Sequence, residues 1–221
     1  MITEFVKKCD YCQRFNKQTQ EYGHVPTKQV EHLYPWDKVC VDIICPWTVK
    51  INRFECQFRA LTCIDFIICL PEVIPVENAT LHTAAEAFKD QWLSIYPFPI
   101  RCLHENGNEL LGPNFVHMLR ENDIQSVPTT IKNPQANAIV ERMHQLISTI
   151  AISLKENPPT SFEEVSILVQ RKYMSAQFAQ RTTVDTALKY SPGEFAFGGN
   201  ILHPLSSQIN WEDLMKETRD H

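Results

Sequence analysis

Three acidic residues restrict the fold more strongly than any other feature of the sequence. Asp42 lies inside the apolar run Val39–Ile44, and Glu105 directly follows the apolar segment Ile100–His104. Thirty-five residues then separate Glu105 from Glu141. A carboxylate in an apolar strand is costly unless a partner compensates its charge, and a divalent cation is one such partner. The pattern therefore predicts a sheet with acids on two strands, followed by an acid on a helix.

Carboxylates placed in this way can hold two divalent metal ions about 3.5–4 Å apart, an arrangement used for phosphoryl transfer. Each acid also has an ordinary interpretation. Asp42 could lie on the solvent face of a half-buried strand, Glu105 could be a solvated loop residue, and Glu141 could be one more charged residue on a helix surface. The three positions taken together favour the metal site.

The apolar periodicity predicts a mixed series of strands and helices. Strands are expected at Lys38–Cys45, Cys56–Asp65, Phe66–Val76, Ile100–His104 and Ile124–Val127, and helices at Thr80–Ile95, Phe115–Glu121, Asn133–Leu154 and Phe162–Gln180. In the first helix Thr80 is the expected N-cap, and one face carries Leu81, Ala84, Ala85, Phe88, Trp92 and Ile95. In the helix predicted for Asn133–Leu154, Asn133-Pro134 is a helix-start signal, and Glu141 lies outside the apolar stripe.

The motifs around the acids carry a resemblance to a known family. They are Val41-Asp42, the segment ENGNEL from Glu105, the segment NPQANAIVERMHQ from Asn133, and Ser191–Gly198. In this order and at this spacing they resemble the catalytic core of retroviral and LTR-retrotransposon integrases, most closely the gypsy-type retrotransposon form. The resemblance covers roughly residues 5–200. It implies an α/β, RNase H-like fold, a mixed five-stranded sheet flanked by helices.

The resemblance also implies roles for individual residues. Asp42, Glu105 and Glu141 correspond to the three metal-binding catalytic acids, with Mg²⁺ or Mn²⁺ as the two-metal cofactor. The family has Asp at the position of Glu105, whose carboxylate lies one methylene further from the backbone. Asp65 matches a family Asp outside the triad. The side chains expected to face DNA are Asn133, Gln135, Asn137, His144, Gln145 and Ser148.

Three segments are expected along the chain: 1–34, 35–200 and 201–221. The first resembles a remnant of a His-His-Cys-Cys zinc domain plus a linker, the second is the catalytic core, and the third begins a linker to a C-terminal domain that this sequence lacks. Cys9 and Cys12 form half a zinc site, but His24 and His32 have the wrong spacing to complete it. Zinc is therefore expected only if histidines were present upstream.

The composition limits the partners. The net charge is −5, whereas DNA affinity comes mainly from basic side chains. Basic surface is therefore expected locally, at Lys132, Arg142 and His144, or outside this sequence. The 8 cysteines are scattered in apolar runs and no secretory signal or membrane span is seen. These features predict an intracellular protein, nuclear or in a cytoplasmic particle, that binds DNA and not a membrane. Self-association is expected from the family.

Three functions remain open from the sequence. The first is a retroelement integrase core that carries out metal-dependent DNA 3′-end processing and strand transfer. The second is a non-catalytic nucleic-acid-binding or degenerate remnant with the same fold, which Glu105 favours. The third is an RNase H proper, against which the spacing of Glu105 and Glu141 and the Cys9–Cys12 pair argue.

Overall fold

The computed structural model describes residues 34–51, 54–76, 81–129, 161–185 and 189–202. The chain divides into two units, Met1–His32 and Leu33–His221, and the described residues all belong to the second. Its strands are β1 (Lys38–Ile51), β2 (Phe54–Asp65), β3 (Pro71–Val76), β4 (Arg101–His104) and β5 (Gln125–Pro128). Its helices are α1 (Leu81–Phe88), a π-helical turn (Lys89–Leu93), α2 (Asn108–Leu111), α3 (Pro113–Glu121), α4 (Phe162–Thr182) and α5 (Pro192–Phe197).

The five strands form one mixed sheet in the order β3-β2-β1-β4-β5. The long β1–β2 pair and the β2–β3 pair are antiparallel, while β1–β4 and β4–β5 are parallel. Each parallel step needs a crossover, which helices supply: α1 lies between β3 and β4, and α2 and α3 lie between β4 and β5. The predicted RNase H-like fold, a five-stranded sheet flanked by helices, is confirmed.

The sheet buries apolar side chains on both faces because residues alternate along each strand. Val39 and Val41 of β1 pack into a large cluster with α1 and α3, which includes Phe88 and Phe115. Cys40 and Ile44 point to the opposite face. There a second cluster includes the α4 side chains Val165, Val169, Tyr173 and Ala176. The sheet therefore lies between two helical layers.

The third strand begins later than the sequence predicted. Phe66–Val76 was expected to be extended, but β3 starts at Pro71 because the chain turns after Asp65. The Asp65 carboxylate accepts N–H bonds from Ile67 at 2.8 Å and Ile68 at 2.7 Å. These bonds give a partner to backbone N–H groups that would otherwise be buried in the turn without one. A side chain thus decides where the strand can start.

The first helix also departs from the predicted face at its end. Ala84, Phe88 and Trp92 are buried as expected, but Ile95 is 58% exposed. The cause is the π-helical turn, in which Ser94 N–H bonds to the carbonyl five residues earlier, at 3.1 Å. The wider turn shifts the apolar face by one residue. Tyr96 takes the buried place and stacks on Trp36 with ring centroids 5.4 Å apart.

The fourth helix follows the sequence prediction closely. Ser161 is its N-cap, with its hydroxyl accepting from the N–H of Glu164 at 3.2 Å. The predicted end at Gln180 lies two residues before the observed end at Thr182. Thr80 and the helix predicted for Asn133–Leu154 lie outside the described residues. Among the helices that are described, none is long and apolar enough to cross a membrane.

A candidate metal site at the ends of two parallel strands

The register of β1 and β4 brings two of the predicted acids next to each other. The parallel ladder between the strands ends with the pair Val41 and His104. Asp42 is the next residue of β1, and Glu105 directly follows the last residue of β4, so their backbones start from neighbouring positions. Adjacent strands lie about 4.8 Å apart. The register therefore gives the two acids a common starting point on neighbouring strands, which is compatible with a shared cation.

Asp42 belongs to the sheet face that is covered by α4. Cys40 and Ile44, two positions before and after Asp42, pack into the α4 cluster, and so does Leu103 of β4, two positions before Glu105. Alternation along β1 places Asp42 on that same face, and Glu105 directly follows the end of β4. Asp42 is 7% exposed, whereas Glu105 is exposed. The pair thus combines a buried anchor with a carboxylate open to solvent.

The backbone on both sides of Asp42 is firmly held. Its carboxylate Oδ1 accepts the N–H of Ile43 at 2.7 Å, and its carbonyl accepts the hydroxyl of buried Thr62 at 3.1 Å. Thr62 is also its partner across the antiparallel pair. The position of Asp42 is consequently set by β1 and β2 together, which suits a ligand that must not move.

His104 lies directly before Glu105 and is a residue whose importance the sequence did not reveal. It is 1% exposed, and its ring meets Phe115 edge-on with centroids 5.8 Å apart. Its Nδ1 lies 3.0 Å from the Glu105 carbonyl oxygen, and its Nε2 lies 2.8 Å from the Ser126 hydroxyl. Burial lowers the pKa of His104, opposed by the bond to the Glu105 carbonyl. A polar residue closing an apolar strand was the signal that could have drawn attention to it.

The segment after Glu105 leads directly into helix α2. Asn106 donates its side-chain N–H to the Thr129 carbonyl at 2.7 Å. Gly107 is the N-cap, and its carbonyl accepts from Leu110 and Leu111 at 3.0 and 2.9 Å. Asn106 and Gly107 therefore form a bend that leads into the helix. Glu109, in the first turn of α2, is half-buried.

Asp65 is the last residue of β2 and lies near the same end of the strand pair as Asp42. It pairs with Val39, whereas Asp42 pairs with Thr62, three residues earlier in β2. At about 3.4 Å per residue, Asp65 is roughly 10 Å from the acid pair. Its Oδ2 accepts the Trp36 N–H at 2.7 Å, in addition to the two bonds in the turn. Burial raises the pKa of Asp65, opposed by these three N–H donors. Asp65 therefore caps a turn, a structural role that is compatible with its predicted position outside the three catalytic acids.

The remaining predicted site residues cannot be placed. Glu141 and the DNA-facing set Asn133, Gln135, Asn137, His144, Gln145 and Ser148 lie outside the described residues, as do Cys9 and Cys12. Within the described ranges, no group of three or more His, Cys, Asp or Glu side chains could hold a metal ion. Two of the three predicted ligands, Asp42 and Glu105, follow paired residues of β1 and β4, and the metal-binding role of all three stays a prediction.

The oxygen ligands that Asp42 and Glu105 can offer suit a hard divalent cation. Both side chains offer only carboxylate oxygens, which Mg²⁺ and Mn²⁺ accept and which Zn²⁺ sites with Cys and His use less. Cys40, two residues before Asp42 on β1, is buried, and burial raises its pKa to about 12, so it is held as a thiol. A thiol is not a metal ligand. The chemistry of the site is thus that of an oxygen-ligated divalent ion.

The fold matches solved integrase cores, although sequence comparison finds no relative. No protein-family model and no curated protein matches the sequence. The HTLV-2 integrase catalytic core domain, solved in complex with magnesium in a trimeric form, has a TM-score of 0.56 at 15% identity, covering 75% of this chain and 99% of its own. A chain of the simian T-cell lymphotropic virus intasome has a TM-score of 0.60 at 17% identity, covering 91% and 67%. The BIV integrase core has a TM-score of 0.52 at 13% identity, covering 74% and 95%.

Proposed function

We propose that the chain is the catalytic core of a retroelement integrase of the gypsy type, which processes DNA 3′ ends and transfers them to target DNA. The observation that carries the proposal is the register that pairs Val41 with His104, because Asp42 and Glu105 directly follow these two residues along the chain. The likeness in fold to retroviral integrase cores supports it. Under the proposal Glu141, from the helix predicted after Asn133, is the third acid.

In this mechanism the acids hold two Mg²⁺ or Mn²⁺ ions. When bound, such ions activate the attacking oxygen and stabilise the leaving oxygen of a phosphodiester. Asp42 supplies a fixed carboxylate, because its backbone is held by Thr62 and by the strand ladder. Glu105 would supply a second carboxylate ligand, and its exposed side chain would leave the cation accessible to a DNA phosphate. The predicted loop residues Asn133, Gln135 and Asn137 and helix residues His144, Gln145 and Ser148 would contact the DNA. No covalent enzyme intermediate is required.

The proposal extends to the assembly and the location of the protein. HTLV-2 integrase cores have been solved in dimeric and trimeric forms, and an intasome chain shares the fold. We therefore infer self-association of this core on DNA. A protein that joins retroelement DNA to a genome acts inside the cell, in the nucleus or in a cytoplasmic particle.

The alternative is a binding remnant that keeps the fold without catalysis. Glu105 favours it, because the extra methylene displaces the carboxylate by roughly 1 Å and such a shift can cost about 100-fold in rate. The exposure of Glu105 argues in the opposite direction, since an exposed side chain has room to adjust its rotamer. The two functions predict different behaviour for a Glu105→Asp variant.

The test is Mn²⁺-dependent strand transfer, together with disintegration of a branched DNA oligonucleotide. The native chain is compared with Asp42→Asn, Glu141→Gln and Glu105→Asp, and with Glu109→Gln as the matched control. Glu109 lies four residues after Glu105, and Glu109→Gln removes one negative charge, as Asp42→Asn and Glu141→Gln do. The proposal expects activity in the native chain and in Glu109→Gln, and a loss of about 100-fold or more in Asp42→Asn and Glu141→Gln.

Two results would contradict the proposal, the first by showing that the native chain is inactive and the second by showing that Asp42 is not part of the site. Activity in only the Glu105→Asp variant would mean that the site is correct but that this sequence is a lapsed copy. Activity that survives Asp42→Asn would place the chemistry elsewhere. A hybrid RNA–DNA substrate completes the comparison, because cleavage of the hybrid in preference to branched DNA would favour an RNase H.

A further inference from the structure

His104 has a definite protonation pattern, which follows from its two contacts. The carbonyl oxygen of Glu105 can only accept a hydrogen bond, so Nδ1 at 3.0 Å must carry the proton. In a neutral ring Nε2 is then the acceptor, and the Ser126 hydroxyl at 2.8 Å donates to it. The ring thus donates to the backbone of the next residue and accepts from the neighbouring strand β5.

Two further bonds tie the same segment to the end of β5. Thr129 donates its backbone N–H to the His104 carbonyl at 2.8 Å. Asn106 donates its side-chain N–H to the Thr129 carbonyl at 2.7 Å. The residues before and after Glu105 are therefore both anchored, and the carbonyl of Glu105 itself is held by the imidazole. Glu105 keeps a solvent-exposed side chain on a backbone that is fixed at three points.

We propose that His104 is a positioning residue that fixes the peptide plane of Glu105 and so aims its carboxylate at the shared cation. The inference rests on the proposed function, in which Glu105 is a metal ligand. A Glu side chain has one more rotatable bond than Asp, so its carboxylate samples a wider region unless the backbone is fixed. Holding the Glu105 carbonyl removes the backbone part of that freedom.

A purely structural role for His104 must be separated from positioning. The bond between Nε2 and Ser126 joins β4 to β5 and stabilises the sheet whatever Glu105 does. The bond between Nδ1 and Glu105 spans a single residue and adds little to long-range stability. The structural role therefore depends on Nε2, and the positioning role depends on Nδ1. Two variants, each of which keeps only one of these contacts, can separate the roles.

The test uses His104→Asn and His104→Gln in the full chain. The amide nitrogen of Asn can reach the place of Nδ1, whereas the amide of Gln reaches the place of Nε2. His104→Asn thus keeps the donor to Glu105 and loses Ser126, and His104→Gln does the reverse. Ser126→Ala removes the β5 contact alone. Each variant is measured for Mn²⁺ affinity by isothermal titration calorimetry and for thermal stability.

The positioning role predicts that metal affinity follows the Glu105 contact. Residues that orient a metal ligand typically change affinity by about 10–100-fold, so His104→Gln should weaken Mn²⁺ binding about tenfold or more. His104→Asn and Ser126→Ala should stay within about threefold of the native chain while losing thermal stability. Equal Mn²⁺ affinity in the Asn and Gln variants would overturn the inference.

Failure of this inference is distinguishable from failure of the proposed function by including Asp42→Asn. If Asp42→Asn abolishes Mn²⁺ binding while the Asn and Gln variants of His104 bind equally, the metal site stands and positioning by His104 is wrong. If the native chain binds Mn²⁺ no better than Asp42→Asn does, the proposed site is wrong and the role of His104 fails with it.

Discussion

The two buried aspartates of the first strand pair show how neighbouring residues of one type serve different ends. Asp65 uses both carboxylate oxygens to accept three backbone N–H bonds. Asp42 accepts the N–H of the next residue, Ile43, through Oδ1 and lies beside the end of β4. The first geometry is that of a cap, which stabilises the fold. The second, a bond within the strand itself, does not join separate segments of the chain in this way.

This difference predicts that the same substitution lowers the free energy of unfolding more at Asp65 than at Asp42. In Asp65→Asn the amide oxygen can still accept from Ile67 and Ile68, but the amide nitrogen then faces the Trp36 N–H, and two donors meet. A buried donor left without a partner costs about 1–3 kcal/mol, so the free energy of unfolding should fall by that amount. Asp42→Asn should change it by less than about 1 kcal/mol without metal.

Urea denaturation followed by tryptophan fluorescence measures both variants at pH 7 in EDTA. The tertiary signal is suitable because Trp36 and Trp92 both pack near the Asp65 turn. A larger loss of stability in Asp42→Asn than in Asp65→Asn would mean that Asp42 is the structural acid of the pair, and the site assignment would then lose its main support.

At the scale of elements, one polar cluster attaches helix α4 to the edge strand β3. Arg181 contacts the Glu72 carboxylate and donates to the Pro71 carbonyl at 3.1 and 3.2 Å. Gln177 donates to Glu72 at 2.6 Å and accepts the Val73 N–H at 3.1 Å. The helix thereby covers an unpaired strand edge, which would otherwise be a template for aggregation.

The Glu72–Arg181 contact should therefore contribute measurable coupling. Its side chains are only 14% and 21% exposed, so solvent screens the pair weakly. A double-mutant cycle with Glu72→Gln and Arg181→Met should give a coupling of about 1–3 kcal/mol by urea denaturation. The matched control is the exposed pair His117–Glu121 on α3, which should give less than about 0.5 kcal/mol. Similar coupling in the two pairs would show that α4 is held by its apolar face alone.

The sequence predicted most elements because their patterns are local. Five strands and the helices containing Phe88, Phe115 and Val169 were expected close to where they lie. The errors have non-local or main-chain causes. Ile95 was assigned to the buried face because a regular helical period was assumed, and the π-helical turn changes that period. The late start of β3 depends on the Asp65 cap, whose bonds to Trp36 and Ile68 no periodicity reveals.

The candidate site was predictable in part for the same reason. Asp42 and Glu105 could be located because each stands out chemically from an apolar run. Their adjacency depends on the register between β1 and β4, which a resemblance implied but the residues alone could not fix. The contacts of His104 with Ser126, 22 residues later, and of Asn106 with Thr129 depend on the parallel pairing of β4 with β5. Such partners become visible only when the sheet is assembled.

At the scale of the whole molecule, the net charge of −5 opposes DNA binding. Under the proposed function, the carboxylates of Asp42 and Glu105 would add local repulsion of the DNA phosphates, which a bound divalent cation would reverse. DNA affinity should therefore depend on metal and not only on basic side chains. We expect the affinity of the native chain for branched DNA to rise by about tenfold, roughly 1.4 kcal/mol, when Mg²⁺ replaces EDTA at constant ionic strength.

Asp42→Asn tests whether this gain arises at the acid pair. The variant removes one negative charge, so its DNA affinity in EDTA should exceed that of the native chain, while most of the gain with Mg²⁺ should disappear. Glu121→Gln is the control, because it makes the same change in net charge at the exposed end of α3. Fluorescence anisotropy with labelled branched DNA, with sodium chloride matching the ionic strength, gives all six affinities. If the two variants behave alike, overall charge controls binding, and the edge formed by Asp42 and Glu105 has no special part in holding DNA.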